Sequence, residues 1–300
     1  MSRPDAATIA PHAAPSMPAV VELLKPITWF APMWAFGCGV VSSGVPAAGR
    51  WPEIVAGVLL SGPLVCGTSQ AVNDWFDREV DAINEPGRPI PSGRVPGRRG
   101  LHIAIGWTLL SLLVAAWLGA FAFGAAVVGL ALAWAYSAPP LRLKKNGWWG
   151  NTACAACYEG LPWVTGAAIM AGHAPDWRVF AIAGLYSAGA HGIMTLNDFK
   201  SVAGDRAMGI GSLPVRLGVA NAGRVACAAM ALPQVAVVAL LVRWGHWGQG
   251  IAVALLLVVQ AALMVRLLRD PRERAPWYNA TGTTLYVAGM LVSAFALRSF

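Results

Sequence analysis

Amide and acidic side chains recur at helical spacing in segment 73–94, which reads NDWFDREVDAINEPGRPIPSGR. Asn73, Asp77 and Asp81 are four residues apart, so on a helix they share one face. A row of oxygen ligands suits a hard cation such as Mg²⁺, which commonly bridges protein carboxylates to substrate phosphates. The spacing therefore predicts a site for a metal-bound phosphate, and Asp74 is a further candidate ligand.

A second segment, TLNDFKSVAGDRAMGIGSLPVRLG (195–218), also places an Asn-Asp pair at the end of an apolar run. Asp198 and Asp205 are seven residues apart and lie on one helix face, with Asn197 as another oxygen donor. Two such clusters can face each other across a cavity and hold Mg²⁺ around a diphosphate, with the metal as Lewis acid and template. The candidate catalytic residues are Asn73, Asp77, Asp81, Asp198 and Asp205.

Basic side chains accompany both clusters and a third loop, YSAPPLRLKKNGWWGN (136–151). Arg and Lys side chains donate to phosphate oxygens. The candidate ligands of a substrate diphosphate are Arg88, Arg94, Lys144, Lys145, Lys200 and Arg206. For the third loop, contact with lipid headgroups is an equally open interpretation. The candidates for contact with a flat, apolar acceptor are Trp75, Trp148, Tyr158 and His191, although a lone His in an apolar helix is more typical of a core residue.

The composition excludes a soluble protein: 57% of residues are hydrophobic, 12% are charged, and the mean hydropathy is +0.56. Soluble domains carry about 25% charged residues. Nine apolar runs are long enough to span a bilayer, and we expect an all-α integral membrane bundle of about nine transmembrane helices around a central cavity, capped by cytoplasmic helical loops. The predicted runs are 27–45, 53–72, 101–119, 121–138, 151–171, 179–197, 221–242, 247–267 and 278–297.

The distribution of Lys and Arg predicts the orientation. With a cytoplasmic N-terminus, every Lys and Arg except Arg50, Arg178, Arg243 and Arg298 falls on the inner side, as the positive-inside rule requires. The net charge of +8 thus needs no nucleic-acid partner, and both acidic clusters face the cytoplasm. Residues 1–22 are expected to be a disordered cytoplasmic lead, and residues 23–300 to form the transmembrane domain.

Both segments resemble the two aspartate-rich signatures of the UbiA superfamily of intramembrane prenyltransferases, in the same order along the chain. The resemblance implies a helical bundle, Mg²⁺ dependence and a prenyl diphosphate substrate. Within the superfamily, DAINEPGRPIPSGR, YSAPPLRLKKNGWWGN, YEGLPWVTG and TLNDFKSVAGDR resemble the bacteriochlorophyll and chlorophyll synthases. These enzymes transfer a geranylgeranyl or phytyl group to the propionate carboxylate of a (bacterio)chlorophyllide.

The absence of a Ser- and Arg-rich transit peptide favours a bacterial enzyme of the inner or photosynthetic membrane that uses bacteriochlorophyllide a. Proteins of the pigment pathway or of photosystem assembly are possible partners. One departure from the family pattern is Ala203, where an acidic residue often precedes the Gly-Asp of the second signature. The alternatives are a chlorophyll synthase, a quinone- or haem-pathway prenyltransferase, and a cation-coupled transporter.

Overall fold

The computed structural model describes residues 14–300, which form helices and the loops that join them. In two places a π-helical segment joins two α-helices into one continuous helix. Leu60–Cys66 joins α3 to α4, and Ala156–Gly160 joins α7 to α8. Residues 14–300 contain no β-strand, and a single bridge pairs Asn146 with Gly211. The helices of this part of the chain are α1 Met17–Leu24, α2 Phe30–Ser42, α3 Trp51–Leu59, α4 Gly67–Asn84, α5 Arg99–Leu118, α6 Ala120–Ser137, α7 Gly147–Ala155, α8 Leu161–Ala171, α9 Trp177–Asp198, α10 Val202–Ala207, α11 Leu213–Leu217, α12 Val219–Arg243, α13 Trp247–Leu267 and α14 Pro271–Leu297.

Each predicted apolar run forms a helix, but the count of nine membrane crossings is not confirmed. Within residues 14–300, seven helices are long and apolar enough to cross a membrane: Trp51–Asn84, Arg99–Leu118, Ala120–Ser137, Trp177–Asp198, Val219–Arg243, Trp247–Leu267 and Pro271–Leu297. The other two runs correspond to α2, which has 13 residues, and to the helix over 147–171. The all-helical architecture is confirmed.

The expected disordered lead over residues 1–22 is wrong in its last part, because Met17–Leu24 is a helix. Ser16 caps it by accepting a hydrogen bond from the Ala19 amide at 3.4 Å, and Pro18 stands in its first turn, where its missing N–H costs nothing. The apolar side of α1 packs against α4 and α5. Residues 1–13 of that lead lie outside the described part of the chain.

Helix α9 lies at the centre of the bundle and packs against α7, α8, α12 and α14. Three fully buried aromatic side chains fill the space beside it: Trp163 stacks on Tyr186 at 5.7 Å between ring centroids, and Tyr186 meets Tyr286 edge-on at 5.3 Å. Their polar atoms are paired, since Tyr186 exchanges a hydrogen bond with Ser293 at 3.0 Å and Tyr286 donates to the Tyr186 carbonyl. Backbone and side-chain polar groups in lipid have to be satisfied in this way inside the protein.

A reciprocal amide pair joins α12 to α13. Gln234 and Gln260 are both fully buried, and each donates to the other, at 3.1 and 3.0 Å. Hydrogen bonds of this kind hold membrane helices together where both sides are otherwise apolar.

Helices α2 and α8 approach each other closely through glycine. A Cβ built on Gly39 would lie 2.0 Å from the Trp163 carbonyl oxygen, and one built on Gly166 would lie 2.4 Å from the Phe36 carbonyl oxygen. Both obstacles are backbone atoms, which cannot turn aside. Small residues at such crossings let helix backbones touch and gain van der Waals contact.

We expect Gly39→Ala to lower the free energy of unfolding by about 1–3 kcal/mol, the usual cost of overpacking. The matched control is Gly37→Ala in the same helix, where nothing lies within 4 Å of the added Cβ. Alanine is the better helix former there, so this variant should match or exceed the wild type. The measurement is the thermal unfolding temperature of both variants in detergent, and equal temperatures would contradict the close approach.

Candidate functional site

A cavity of about 710 Å³ is enclosed by α4, α7, the C-terminal end of α9, and α10 with the loop that follows it. Both acidic clusters open into it. The residues of the two predicted clusters that line the cavity are Asn73, Asp77, Asp81, Asn197, Asp198 and Asp205. Two segments more than a hundred residues apart in the sequence therefore meet at one site.

Asp77 is surrounded by basic side chains. The Lys144 ammonium contacts both of its carboxylate oxygens, and Arg142 donates to Oδ1 at 3.2 Å. Asn73, one helical turn earlier, donates to Asp77 Oδ2 at 3.1 Å and to Ser137 Oγ at 3.2 Å. Burial lowers the pKa of Lys144, and the adjacent Asp77 carboxylate opposes that effect. Both oxygens of the Asp77 carboxylate are therefore paired in this structure.

Asp81, the last acid of the first cluster, pairs with Arg88 from the following loop. Arg88 Nη1 donates to Asp81 Oδ2 at 2.8 Å, while Nε and Nη2 donate to the two Glu85 oxygens at 2.6 and 2.7 Å. The hydrogen bond from Arg88 lowers the pKa of Glu85. Arg88 lines the cavity, so an anion bound in the cavity would lie close to its side chain.

The second cluster is held by neutral groups. Asp198 accepts a hydrogen bond from Asn151 Nδ2 at 3.1 Å. Asp205 accepts from Ser201 at 3.1 Å and from Ser212 at 2.7 Å. Within the described residues neither acid forms a salt bridge, whereas Asp74, Asp77 and Asp81 all do. The carboxylates of the second cluster therefore have fewer cations in contact with them than those of the first.

The remaining partners of the second segment are more exposed. Asn197 accepts a hydrogen bond from Asn279 Nδ2 at 2.9 Å. Lys200 lines the cavity with an exposed side chain. Ala203, the departure from the family pattern, is exposed on α10 and does not line the cavity. The two serine hydroxyls that hold Asp205 thus orient this acid without a further carboxylate at position 203.

Four of the predicted metal and diphosphate ligands do not line the cavity: Asp74, Arg94, Lys145 and Arg206. Asp74 is buried and pairs with Lys25 and Arg88. Arg94 pairs with Glu22 of α1. Lys145 and Arg206 are exposed. Sequence spacing does not separate these residues from those that reach the cavity, because the direction of the loops sets where their side chains point.

Of the candidate acceptor contacts, Tyr158 lines the cavity and the other three do not. The Tyr158 hydroxyl accepts from Gln70 Nε2 at 3.1 Å. Trp75 lies under the Arg78 guanidinium, 4.4 Å from its ring centroid. Trp148 stacks on the buried His191 at 5.5 Å, and His191 Nδ1 meets the Thr152 hydroxyl at 3.2 Å. His191 is thus a packed core residue.

Sequence reasoning missed two polar residues of the site, Gln70 and Asn151. Gln70 lies one turn before Asn73 and extends the same helix face, so the spacing already pointed to it. Asn151 ends the basic third loop and holds Asp198. No pattern in the sequence connects Asn151 to Asp198, because the two lie on different helices.

The donor set fits a magnesium ion that arrives with its substrate. Within residues 14–300, no three His, Cys, Asp or Glu side chains come close enough to hold a metal ion by themselves. Mg²⁺ commonly takes one or two protein carboxylates and completes its octahedron with phosphate oxygens and water. Asp77, Asp81, Asp198 and Asp205 line one cavity, so their carboxylates fit the role of the one or two protein ligands that Mg²⁺ takes.

Comparison with known proteins gives consistent matches. Residues 28–294 match the model of the UbiA prenyltransferase family. The chain is 54% identical to the bacteriochlorophyll synthase 33 kDa chain of Cereibacter sphaeroides, over 97% of this chain and 96% of that protein. It is 37% identical to the chloroplastic chlorophyll synthase of Avena sativa, over 92% of this chain and 75% of that protein.

The fold has solved counterparts. The structure of a UbiA homologue from Archaeoglobus fulgidus bound to DMAPP and Mg²⁺ matches with a TM-score of 0.70 and 20% identity, over 94% of this chain and 99% of that one. These matches confirm the resemblance that the two aspartate-rich segments indicated.

We expect the Asp77–Lys144 pair to be energetically coupled. A double-mutant cycle of Asp77→Asn and Lys144→Met, read from thermal unfolding in detergent without substrate, should give a coupling of about 1–3 kcal/mol for two partly buried groups in contact. The control cycle is the exposed pair Arg78–Glu79, for which about 0.2–1 kcal/mol is expected. Couplings of equal size would mean that the buried contact does not form.

Proposed function

Because this chain belongs to the UbiA prenyltransferase family, we propose that it transfers a geranylgeranyl or phytyl group from its diphosphate to the propionate carboxylate of a bacteriochlorophyllide. The chain is a prenyltransferase and a membrane protein with several crossings. One observation carries the choice of acceptor: identity is 54% with a bacteriochlorophyll synthase chain over nearly the whole length, against 37% with a chlorophyll synthase.

The metal sites follow from the two carboxylate clusters. Asn73, Asp77 and Asp81 would hold Mg²⁺ on one side of the diphosphate, and Asp198 and Asp205 on the other. Bound there, Mg²⁺ supplies Lewis-acid stabilisation of the charge that develops on the leaving diphosphate.

The basic residues of the cavity act on the same charge. Arg88 and Lys144 line the cavity and are directed by their acidic partners, and Lys200 approaches from the second segment. Fixed donors aimed at a developing anion are the largest contribution to many enzymatic rates. With Asp77 engaged by Mg²⁺, the Lys144 ammonium would donate to a phosphate oxygen instead of to the carboxylate.

The proposed reaction needs no strong base to remove a proton from the acceptor. The allylic C1–O bond of the prenyl diphosphate breaks, and its electron pair leaves with the diphosphate. An oxygen of the acceptor propionate then forms the new bond to C1. A carboxylate of ordinary pKa is already ionised near neutral pH, so no protein group has to remove a proton.

The prenyl chain needs an apolar path away from this charged end. A narrow cavity of about 30 Å³ adjoins the large one and shares Ser69, Tyr136, Cys154 and Tyr158 with it. Its other walls are apolar, including Val65, Leu132 and Ala133. A cavity of this size is too small for a whole prenyl chain, so it marks only an apolar wall beside the proposed C1 position, where water that would capture a carbocation is excluded.

The proposed orientation puts the N-terminus and the large cavity on the cytoplasmic side of the inner membrane. The excess of Lys and Arg on that side supports it. Mg²⁺ and prenyl diphosphates reach the cavity directly from the cytoplasm in this orientation.

An esterification assay tests the function. The purified protein in detergent receives geranylgeranyl diphosphate and Mg²⁺ with either bacteriochlorophyllide a or chlorophyllide a, and chromatography separates the products. We expect an ester mainly from bacteriochlorophyllide, and none after EDTA treatment. A preference for chlorophyllide would reassign the acceptor, and transfer only to a phenolic acceptor would move the chain to another branch of the family.

We expect Asp77→Asn to lower kcat by about 100-fold or more, since it removes a group that stabilises the leaving diphosphate. The matched control is Glu79→Gln, an acid two residues away whose side chain is 85% exposed. Thermal unfolding establishes that both variants fold. An Asp77→Asn enzyme that turns over like the control would refute the proposed metal site.

A further inference from the structure

Asp74 is the aspartate of the first segment that does not line the cavity. Its side chain is 1% exposed, and its Oδ1 accepts from Lys25 Nζ at 2.7 Å and from Arg88 Nη1 at 3.3 Å. Asn73, Asp77 and Asp81 all line the cavity, whereas Asp74 does not. Its surroundings are those of a buried counter-ion.

The Arg88 guanidinium lies among three carboxylates, and the balance between them sets its direction. Its closest contacts are with Glu85 at 2.6 Å and Asp81 at 2.8 Å, and the contact with Asp74 is longer, at 3.3 Å. Lys25 and Arg88 share the same Asp74 oxygen. A buried carboxylate has to be paired, so without Lys25 the full charge of Asp74 would attract Arg88 away from the cavity.

Lys25 is the C-cap of α1, a helix that is fixed on the membrane domain by independent contacts. Leu23 and Leu24 are buried against the residues of α4 and α5. Lys25 ends the helix in the left-handed region at φ 49°, an uncommon conformation for a residue with a Cβ. The indole of Trp29 donates to the Leu24 carbonyl at 2.8 Å. The lysine is therefore held at this turn by the packing around it.

A second ion pair joins α1 to the loop that carries Arg88. Arg94 Nη2 donates to Glu22 Oε1 at 2.7 Å and to the Gly87 carbonyl, next to Arg88, at 2.6 Å. The same loop places Val95, which is fully buried, against the apolar side of α1. The C-cap of α1 thus contacts the counter-ion of Arg88 directly, and α1 reaches the backbone beside Arg88 through Arg94.

We propose that Lys25 and Asp74 are positioning residues: by neutralising Asp74, Lys25 leaves Arg88 directed into the cavity, where it binds the diphosphate of the prenyl substrate. That the bound anion is the diphosphate of a prenyl substrate rests on the proposed function. Helix α1, which lies outside both aspartate-rich segments, becomes part of the substrate-binding apparatus. Asp74 and Asp77, three residues apart, then have different roles.

The first test is Lys25→Met. We expect the KM for geranylgeranyl diphosphate to rise by about tenfold or more, the factor for one charge-assisted hydrogen bond, with a smaller change in kcat. The Mg²⁺ concentration that gives half-maximal activity should stay the same. Lys25→Arg, which keeps the charge, should restore most of the affinity. Arg224→Met, an exposed basic residue that contacts Asn221, is the control.

The double variant Lys25→Met/Asp74→Asn separates positioning from general damage. With the charge of Asp74 also removed, Asp74 no longer draws Arg88 away from its wild-type contacts with Asp81 and Glu85, so the KM should fall back toward the wild-type value. A merely structural role for the pair predicts instead that the double variant is at least as impaired as the single one. This variant also keeps the proposal testable if Lys25→Met alone does not fold.

Binding without turnover provides the second readout. The thermal shift that geranylgeranyl diphosphate with Mg²⁺ produces should be smaller in Lys25→Met than in wild type, whatever the acceptor is. If no bacteriochlorophyllide ester forms but this difference is seen, the acceptor assignment fails and the positioning role stands. An undiminished shift in a folded Lys25→Met variant, or a changed Mg²⁺ requirement with an unchanged KM for the diphosphate, would overturn the proposal.

Discussion

The site depends on how carboxylates are kept charged at the end of an apolar bundle. Burying an ionised carboxylate is costly unless a cation or several donors stand beside it. In the first cluster cations do this: Lys144 for Asp77, Arg88 for Asp81 and Lys25 for Asp74. The Asp77–Lys144 and Asp81–Arg88 pairs line the cavity, so carboxylates and the positive groups that a diphosphate requires stand side by side on its wall. Under the proposed function, substrate binding would be an exchange of partners: the carboxylates would bind Mg²⁺, and the cations would bind the phosphate oxygens.

The two clusters differ in what holds their acids. Asp198 and Asp205 are held by an amide and two hydroxyls, whereas Asp77 is paired with the Lys144 ammonium. Under the proposed function, a Mg²⁺ ion would meet no paired cation at the second cluster, whereas at the first cluster Lys144 would have to move from Asp77 to the phosphate. The exposed position 203 takes no part in this, because Ser201 and Ser212 already orient Asp205.

Periodicity and composition predicted much of this protein, and the limits of the prediction have physical causes. A polar face of period 3.6 on α4 is visible in the sequence, so Asn73, Asp77 and Asp81 could be assigned to one wall. Asp74 is also an oxygen ligand by type, but it does not line the cavity. Its partner Lys25 is 49 residues away in the sequence. The helix α1 was hidden by the Pro- and Ala-rich composition around it, since eight residues give too little periodicity to stand out. The number of crossings stays a prediction, because an apolar run indicates burial and not whether the helix traverses the bilayer.

The two π-helical segments explain why the polar face of α4 points inward. A π segment inserts one residue into the helix, and one residue corresponds to a rotation of about 100°. The insertion at Leu60–Cys66 lies before Gln70 and Asn73, and the insertion at Ala156–Gly160 carries Tyr158. The two segments meet at the small cavity of about 30 Å³, where the Tyr158 hydroxyl contacts Cys66 Sγ at 3.4 Å. Without the first insertion, α4 would be rotated by about 100° about the helix axis relative to α3. The row from Asn73 to Asp81 would then point away from the second cluster. The insertions therefore let one continuous helix present an apolar side to lipid in its first half and a row of carboxylates to the substrate in its second.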